Sequence, residues 1–84
     1  MTITNHTRYM QQAIELGRKT AFEDSAGGPF GCVIVKNNEV IAEGVNRVIA
    51  DNDPTCHGEI TAIRAACRSL GTYDLSGSTM YTSS

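Results

Sequence analysis

The chain has 84 residues, of which 40% are hydrophobic and 19% are charged, and its formal net charge is −2. A chain of this length forms one domain at most. Its apolar content and low net charge are not those of an intrinsically disordered protein. Without a basic run, the sequence does not indicate binding to nucleic acid through phosphate contacts.

Three features of the sequence indicate its cell compartment and whether it contacts a membrane. No apolar run approaches the ~20 residues of a membrane-spanning helix, and residues 1–6 lack the apolar core of a signal peptide. Three cysteines, an odd number, fit reduced thiols better than disulfides. We interpret Cys32 and Cys67 as small buried apolar residues. A cytoplasmic protein without membrane contact is therefore expected.

Residues 7–22 are predicted to form an amphipathic helix, because apolar residues recur there with helical spacing. The predicted stripe consists of Met10, Ala13, Ile14, Gly17 and Ala21. Residues 24–29 combine Asp, Ser, two glycines and a proline, which predicts a loop.

A β-hairpin is predicted next. Residues 30–36 are rich in β-branched side chains and read as a buried strand. Asn37-Asn38 predicts a tight turn, because asparagine tolerates positive φ, and residues 40–45 form the return strand. Alternation along that strand predicts two faces, Val40 with Ala42 and Ile41 with Val45.

A second helix is expected to end at Leu70, before Gly71. Pro54 would lie in its first turn, with Asp53 or Thr55 as the N-cap. Its predicted apolar stripe is Ile60, Ile63, Cys67 and Leu70. Residues 79–82 then predict a third strand. A right-handed crossover would place it parallel to one hairpin strand, in a small mixed sheet covered by helices.

The triplet His57-Gly58-Glu59 is the candidate for chemistry. The plainest interpretation is a surface histidine and a first-turn acid favoured by the helix dipole. Alternatively, the imidazole binds a metal and the carboxylate moves protons for a water on that metal. Residues two apart do not share a helix face. Convergence therefore requires His57 in an irregular first turn, or a long reach by Glu59.

Several stretches together resemble the cytidine/deoxycytidylate deaminase-like superfamily. Residues 55–59 are similar to the first half of the zinc deaminase signature, H-x-E followed later by P-C-x-x-C. The stretches 27–31, 42–46 and 52–55 also resemble that superfamily, and most of all its bacterial guanine deaminase branch. Gly58 replaces the alanine common in that branch, and also occurs in cytosine deaminase-like relatives.

The resemblance implies a three-layer α/β/α cytidine deaminase-like fold with a mixed sheet. Residues 1–84 would be a single, incomplete domain, its N-terminal part with helix, β-hairpin, helix and strand. The implied activity is zinc-dependent hydrolytic deamination of a free nucleobase, guanine to xanthine plus ammonia. The alternatives are a cytosine or nucleoside deaminase, a tRNA-adenosine deaminase, or a non-catalytic truncated interaction module.

The resemblance also implies roles for particular residues. His57 would be a zinc ligand, and Glu59 would carry a proton from water to the base and the departing amino group. Asn46 would hydrogen-bond the base edge, and Phe30 would line the pocket. Asn46 as a strand-ending turn residue and Phe30 as core packing remain the alternatives. Cys56 is not assigned as a ligand, because adjacent residues rarely aim at one ion.

The implied zinc site is incomplete within residues 1–84. Catalytic zinc takes three protein ligands and a water, and His57 is one ligand. Two Cys ligands are expected beyond Ser84, and the 84-residue chain alone is predicted to be inactive. It would be a fragment, a cleaved piece or a natural truncation. The open edge of the third strand favours the first two, and predicts a homodimer or association with a C-terminal fragment.

Overall fold

A computed structural model describes residues 5–24 and 27–83. Its elements are α1 (His6–Asp24), β1 (Gly31–Lys36), β2 (Glu39–Val45), α2 (Gly58–Leu70) and β3 (Thr79–Thr82). The predicted order of helix, hairpin, helix and strand is confirmed. Residues 25 and 26 of the predicted loop lie outside the described residues. In the described part, neither helix is long and apolar enough to cross a membrane.

The three strands form one sheet in the order β2-β1-β3. Strand β1 pairs antiparallel with β2 and with β3. Strands β2 and β3 therefore run in the same direction, as the crossover rule requires, but β1 lies between them. The predicted mixed sheet is not formed by the described strands, because the crossover through α2 carries the chain past β1 and leaves no parallel neighbours in contact.

The hairpin turn is the one predicted, with φ of 53° at Asn37 and 61° at Asn38. The predicted faces of β2 are wrong in part. Ile34 pairs with Ala42 but Val35 pairs with Val40, so Ile41 is an extra residue at a β-bulge. The extra residue reverses the alternation of side chains. Val40 consequently packs on the α1 side of the sheet and Ile41 on the α2 side.

Each face of the sheet is covered by one helix, which gives three layers and two small cores. The alternating side chains of β1 divide between them. The core under α1 consists of Tyr9, Ala13, Val33, Val35 and Tyr81. The core under α2 consists of Cys32, Ile34, Ala42, Ala62 and Ala66. The expected cover on both faces of the hairpin is confirmed.

The buried stripe of α1 is rotated from the predicted one. Tyr9, Ala13 and Gly17 are buried, whereas Ile14 is exposed. The reason is a close approach of backbones, since a Cβ atom on Gly17 would lie 2.5 Å from the backbone nitrogen of Gly31. Helix α1 thus turns Gly17, and not Ile14, towards the start of β1.

The buried stripe of α2 also differs from the predicted one. Its buried residues are Gly58, Ala62 and Ala66. Ile60 and Leu70 are 36% and 42% exposed. Cys67 is only partly buried, contrary to our interpretation, whereas Cys32 is fully buried as expected. All three cysteines are free thiols.

Candidate active site

Helix α2 begins at Gly58, four residues later than Pro54. His57 is its N-cap, in an extended conformation with φ −71° and ψ 162°. The predicted caps, Asp53 and Thr55, form a turn of their own: Asp53 Oδ1 accepts bonds from Thr55 N, at 2.8 Å, and Thr55 Oγ1, at 2.7 Å. This Asx turn ends before the helix can start, so the predicted start is wrong.

The position of His57 answers the geometric objection raised by its spacing from Glu59. An N-cap residue lies outside the helical repeat, because its backbone is not yet helical. Glu59 is the second residue of the helix and is half-buried. His57 is exposed. The rule that residues two apart do not share a helix face therefore does not apply to His57 and Glu59.

The loop before α2 is closed at its base. The N–H of Arg47 donates to the carbonyl of Cys56 at 2.8 Å, so the residue after Asn46 is bonded to the residue before His57. A bidentate contact between Arg47 and Asp51, with its shortest N–O distance 3.0 Å, supports the loop from the solvent side. The Arg47–Cys56 bond therefore connects the end of β2 to the segment that enters α2.

Asn46 is buried at the end of β2, with 9% of its surface exposed. Its backbone N–H donates to the carbonyl of Phe30 at 3.1 Å, and its Oδ1 accepts the N–H of Val48 at 3.1 Å. Asn46 therefore acts as a turn residue at the end of β2, as one of the two interpretations of the sequence proposed. It uses the side-chain oxygen and leaves the NH₂ group as a donor for another group. A Cβ atom on Gly27 would lie 2.0 Å from Oδ1, so the glycine loop lies directly over Asn46.

Phe30 precedes β1 and is 39% exposed. Its ring lies over Gly28, where an added Cβ atom would be 2.8 Å from the ring. A side chain this open is not part of either core, which counts against the core-packing alternative. The ring is available as an apolar wall near Asn46.

Glu59 lies over the α2 side of the sheet. Thr82 Oγ1 donates to Glu59 Oε1 at 3.2 Å. Beneath it, burial and then the negative charge of Glu59 raise the pKa of the Cys32 thiol to about 11. Cys32 is therefore a neutral thiol at physiological pH.

Cys56 is turned towards α2. Its sulfur lies 3.7 Å from Arg64 Nη1. Burial first, and then the Asp53 carboxylate, raise the pKa of its thiol. In the part of the chain that the structure describes, no group of three or more His, Cys, Asp or Glu residues could hold a metal ion. The described residues thus do not by themselves make a catalytic zinc site.

The four predicted site residues lie at one end of the sheet. Pairing of Gly31 with Val45 and of Cys32 with Thr82 sets the start of β1 beside the ends of β2 and β3. A cavity between β2 and α2, lined by Arg47, Arg64 and Arg68 among others, includes none of the four. The site residues therefore lie together at this end of the sheet and outside that cavity.

Sequence reasoning missed Thr82 and Ser83. Ser83 Oγ accepts the N–H of Gly31 at 2.8 Å, and its own N–H donates to the carbonyl of Gly31 at 3.0 Å. Alternation along β3 could have placed Thr82 on the same face as Met80. It could not have shown that this face meets the first turn of α2.

Comparison with known proteins defines the class. Residues 3–84 match the family model of the cytidine and deoxycytidylate deaminase zinc-binding region. The chain belongs to this family, and its elements are those of the N-terminal part of the cytidine deaminase-like fold.

Within this family, the chain is similar to particular deaminases. The guanine deaminase of Bacillus subtilis is 48% identical over 79 residues, which are 94% of this chain and 50% of that protein. Its crystal structure matches with a TM-score of 0.88, over 95% of this chain and 50% of that one. The tRNA-specific adenosine deaminase of the same organism is 35% identical over 94% of this chain and 48% of its own length. The chain spans about half the length of these relatives.

Proposed function

We propose that this chain forms the N-terminal half of a zinc-dependent enzyme that deaminates a free nucleobase, guanine to xanthine plus ammonia. The observation that carries the proposal is the placement of His57 at the N-cap of α2 and Glu59 in its first turn, with the Arg47–Cys56 bond linking the end of β2, where Asn46 lies, to the segment that enters α2. The 48% identity to a guanine deaminase supports the choice of base.

In this proposal His57 is one zinc ligand, and two cysteine thiolates come from outside residues 1–84. Zinc would lower the pKa of a bound water and so supply the nucleophile at neutral pH. Glu59 accepts a proton from the water whose oxygen bonds to the amino-bearing ring carbon. It delivers this proton to the base, then takes the second proton from the newly formed hydroxyl and delivers it to the amino nitrogen, so that the C–N bond breaks and ammonia leaves.

Substrate binding is assigned to Asn46 and Phe30. The Asn46 NH₂ group donates to an acceptor on the edge of the base, because its oxygen is already held by Val48. The partly exposed ring of Phe30 provides an apolar surface for the base. A protein crystallised with 2,6-diaminopurine, 30% identical to this chain with a TM-score of 0.83, supports a purine.

Two catalytic alternatives and one non-catalytic alternative are kept beside this proposal. The similarity to tRNA-specific adenosine deaminases keeps a tRNA substrate open, although the net charge of −2 does not favour phosphate contacts. A cytosine or nucleoside substrate is the other catalytic possibility. A non-catalytic interaction module is favoured by one observation, the lack of a complete metal cluster among the described residues.

We also propose that the domain is completed by association, with a C-terminal part or in a homodimer. Strand β3 lies at the edge of the sheet, and an open edge pairs readily with another strand. Ile60 and Leu70 of α2 and Met80 of β3 are each more than a third exposed. The free thiols agree with a cytoplasmic location.

Two measurements test the proposal. The reading frame after the codon for Ser84 would encode P-C-x-x-C for the enzyme, and a stop codon there would favour the interaction module. Ammonia release by the zinc-loaded protein should then be fastest with guanine among guanine, cytosine and adenine. Release from cytosine alone would overturn the substrate assignment.

A further inference from the structure

The end of β3 touches the candidate proton carrier. Thr82 Oγ1 donates a hydrogen bond to Glu59 Oε1 at 3.2 Å across 23 residues of sequence. Thr82 is half-buried, and pairs with Cys32 on the α2 side of the sheet. The contact therefore joins the sheet to the first turn of α2 at the site itself.

Both ends of this hydrogen bond are held by backbone structure. On one side, Ser83 makes backbone and side-chain bonds to Gly31, which fix β3 against the start of β1. On the other, Thr61 Oγ1 donates to the carbonyl of Val45 at 2.8 Å, which fixes the first turn of α2 against β2. The hydroxyl of Thr82 thus has a set position relative to Glu59.

A flexible carboxylate transfers protons efficiently only when it is held in one orientation. We propose that Thr82 is a positioning residue for Glu59: its hydroxyl holds Oε1 and leaves Oε2 to face the reacting atoms. This inference rests on the proposed deaminase function. The neutral Cys32 thiol below adds no competing charge.

The test compares three variants of the zinc-loaded protein that includes the C-terminal part with the two proposed cysteine ligands. Thr82→Val keeps the shape and removes the hydroxyl, and should lower kcat by ~10- to 100-fold, as expected for a misplaced catalytic group. KM and zinc content should stay near wild type, because neither base contacts nor His57 are altered. Thr82→Ser should restore most of kcat. Thr79→Val, on the opposite face of β3, is the matched control and should behave as wild type.

A readout without turnover separates this contact from the activity. Thr82→Val and Glu59→Ala should shift the unfolding midpoint non-additively, because each removes the same hydrogen bond. Additive shifts would overturn the contact. Wild-type kcat in Thr82→Val, or equal losses in the Val and Ser variants, would overturn the positioning role. If the wild-type protein deaminates no base, the proposed function fails, and the catalytic role of Thr82 fails with it.

Discussion

Gly44 of β2 lies directly against the backbone of Ala62 in α2. A Cβ atom added to Gly44 would be 2.3 Å from the nitrogen of Ala62 and 2.5 Å from the carbonyl oxygen of Gly58. Helix α2 therefore packs directly on β2, with no room for a side chain at position 44. Because His57 is the N-cap of α2 and Glu59 lies in its first turn, this contact fixes the position of the candidate site relative to the sheet.

Gly44→Ala is expected to destabilise the fold strongly. The methyl group would meet backbone atoms, which cannot move aside as a side chain can, and overpacking of this kind costs ~1–3 kcal/mol or more. Urea unfolding followed by circular dichroism measures the loss in the free energy of unfolding. A variant as stable as wild type would contradict the close packing of α2 on β2.

Gly58→Ala is the matched glycine substitution with the opposite expectation. Its added Cβ atom would lie 3.5 Å from the carbonyl oxygen of Phe30 and 3.7 Å from Cys32 Cβ, both ordinary contacts. The change should be neutral or stabilise by ~0.4–1 kcal/mol, because alanine restricts the unfolded chain. The same urea experiment checks it, and a loss above 1 kcal/mol would show that the site is tighter than described.

Glu59→Gln should abolish turnover and leave zinc bound. The amide has a similar shape but cannot accept and return a proton, and general acid–base groups contribute ~10²–10⁴ in rate. Ammonia release gives kcat, and metal analysis gives zinc content. Glu43→Gln is the control, since Glu43 is exposed on β2 and contacts Gln12. Retained activity in Glu59→Gln would remove the proton-transfer role.

Asn46→Asp separates the observed turn role of this side chain from its proposed contact with the base. The carboxylate can still accept the N–H of Val48, but it has no NH₂ group to donate to a base. A lost hydrogen bond that leaves its partner unsatisfied costs ~1–3 kcal/mol, so kcat/KM should fall at least fivefold (~1 kcal/mol) while the loop remains folded. Unchanged kcat/KM would leave Asn46 with its turn role alone.

We expect the raised pKa of Cys32 to make the fold less stable in alkaline solution. Its thiol has a pKa of about 11 in the folded chain, against an ordinary value of 9.0, so folding favours the protonated form. This contribution is complete below pH 9 and is lost as pH rises towards 11. Urea unfolding at pH 8 and at higher pH should show a steeper decline in wild type than in Cys32→Ala. Parallel declines would contradict the shift.

Local features of the sequence were enough for part of the fold. The order of five elements follows from hydrophobic periodicity, which depends only on neighbouring residues. The turn at Asn37 and Asn38 and the stop at Gly71, with φ of 71°, follow from residues that adopt positive φ readily. The deaminase motif at His57 and Glu59 was also visible in the sequence, and the family match agrees with it. Their catalytic roles stay predictions.

Only the tertiary structure decided which residues face each other. The bulge at Ile41 reverses the side chains of β2, and Gly17 and Gly44 let the helices approach so closely that alanines, not isoleucines, are buried. The contact of Thr82 with Glu59 was set by the pairing of β3 with β1. Periodicity assigns each element a face. The distance between two backbones, which selects the face that is buried, depends on residues far apart in the chain.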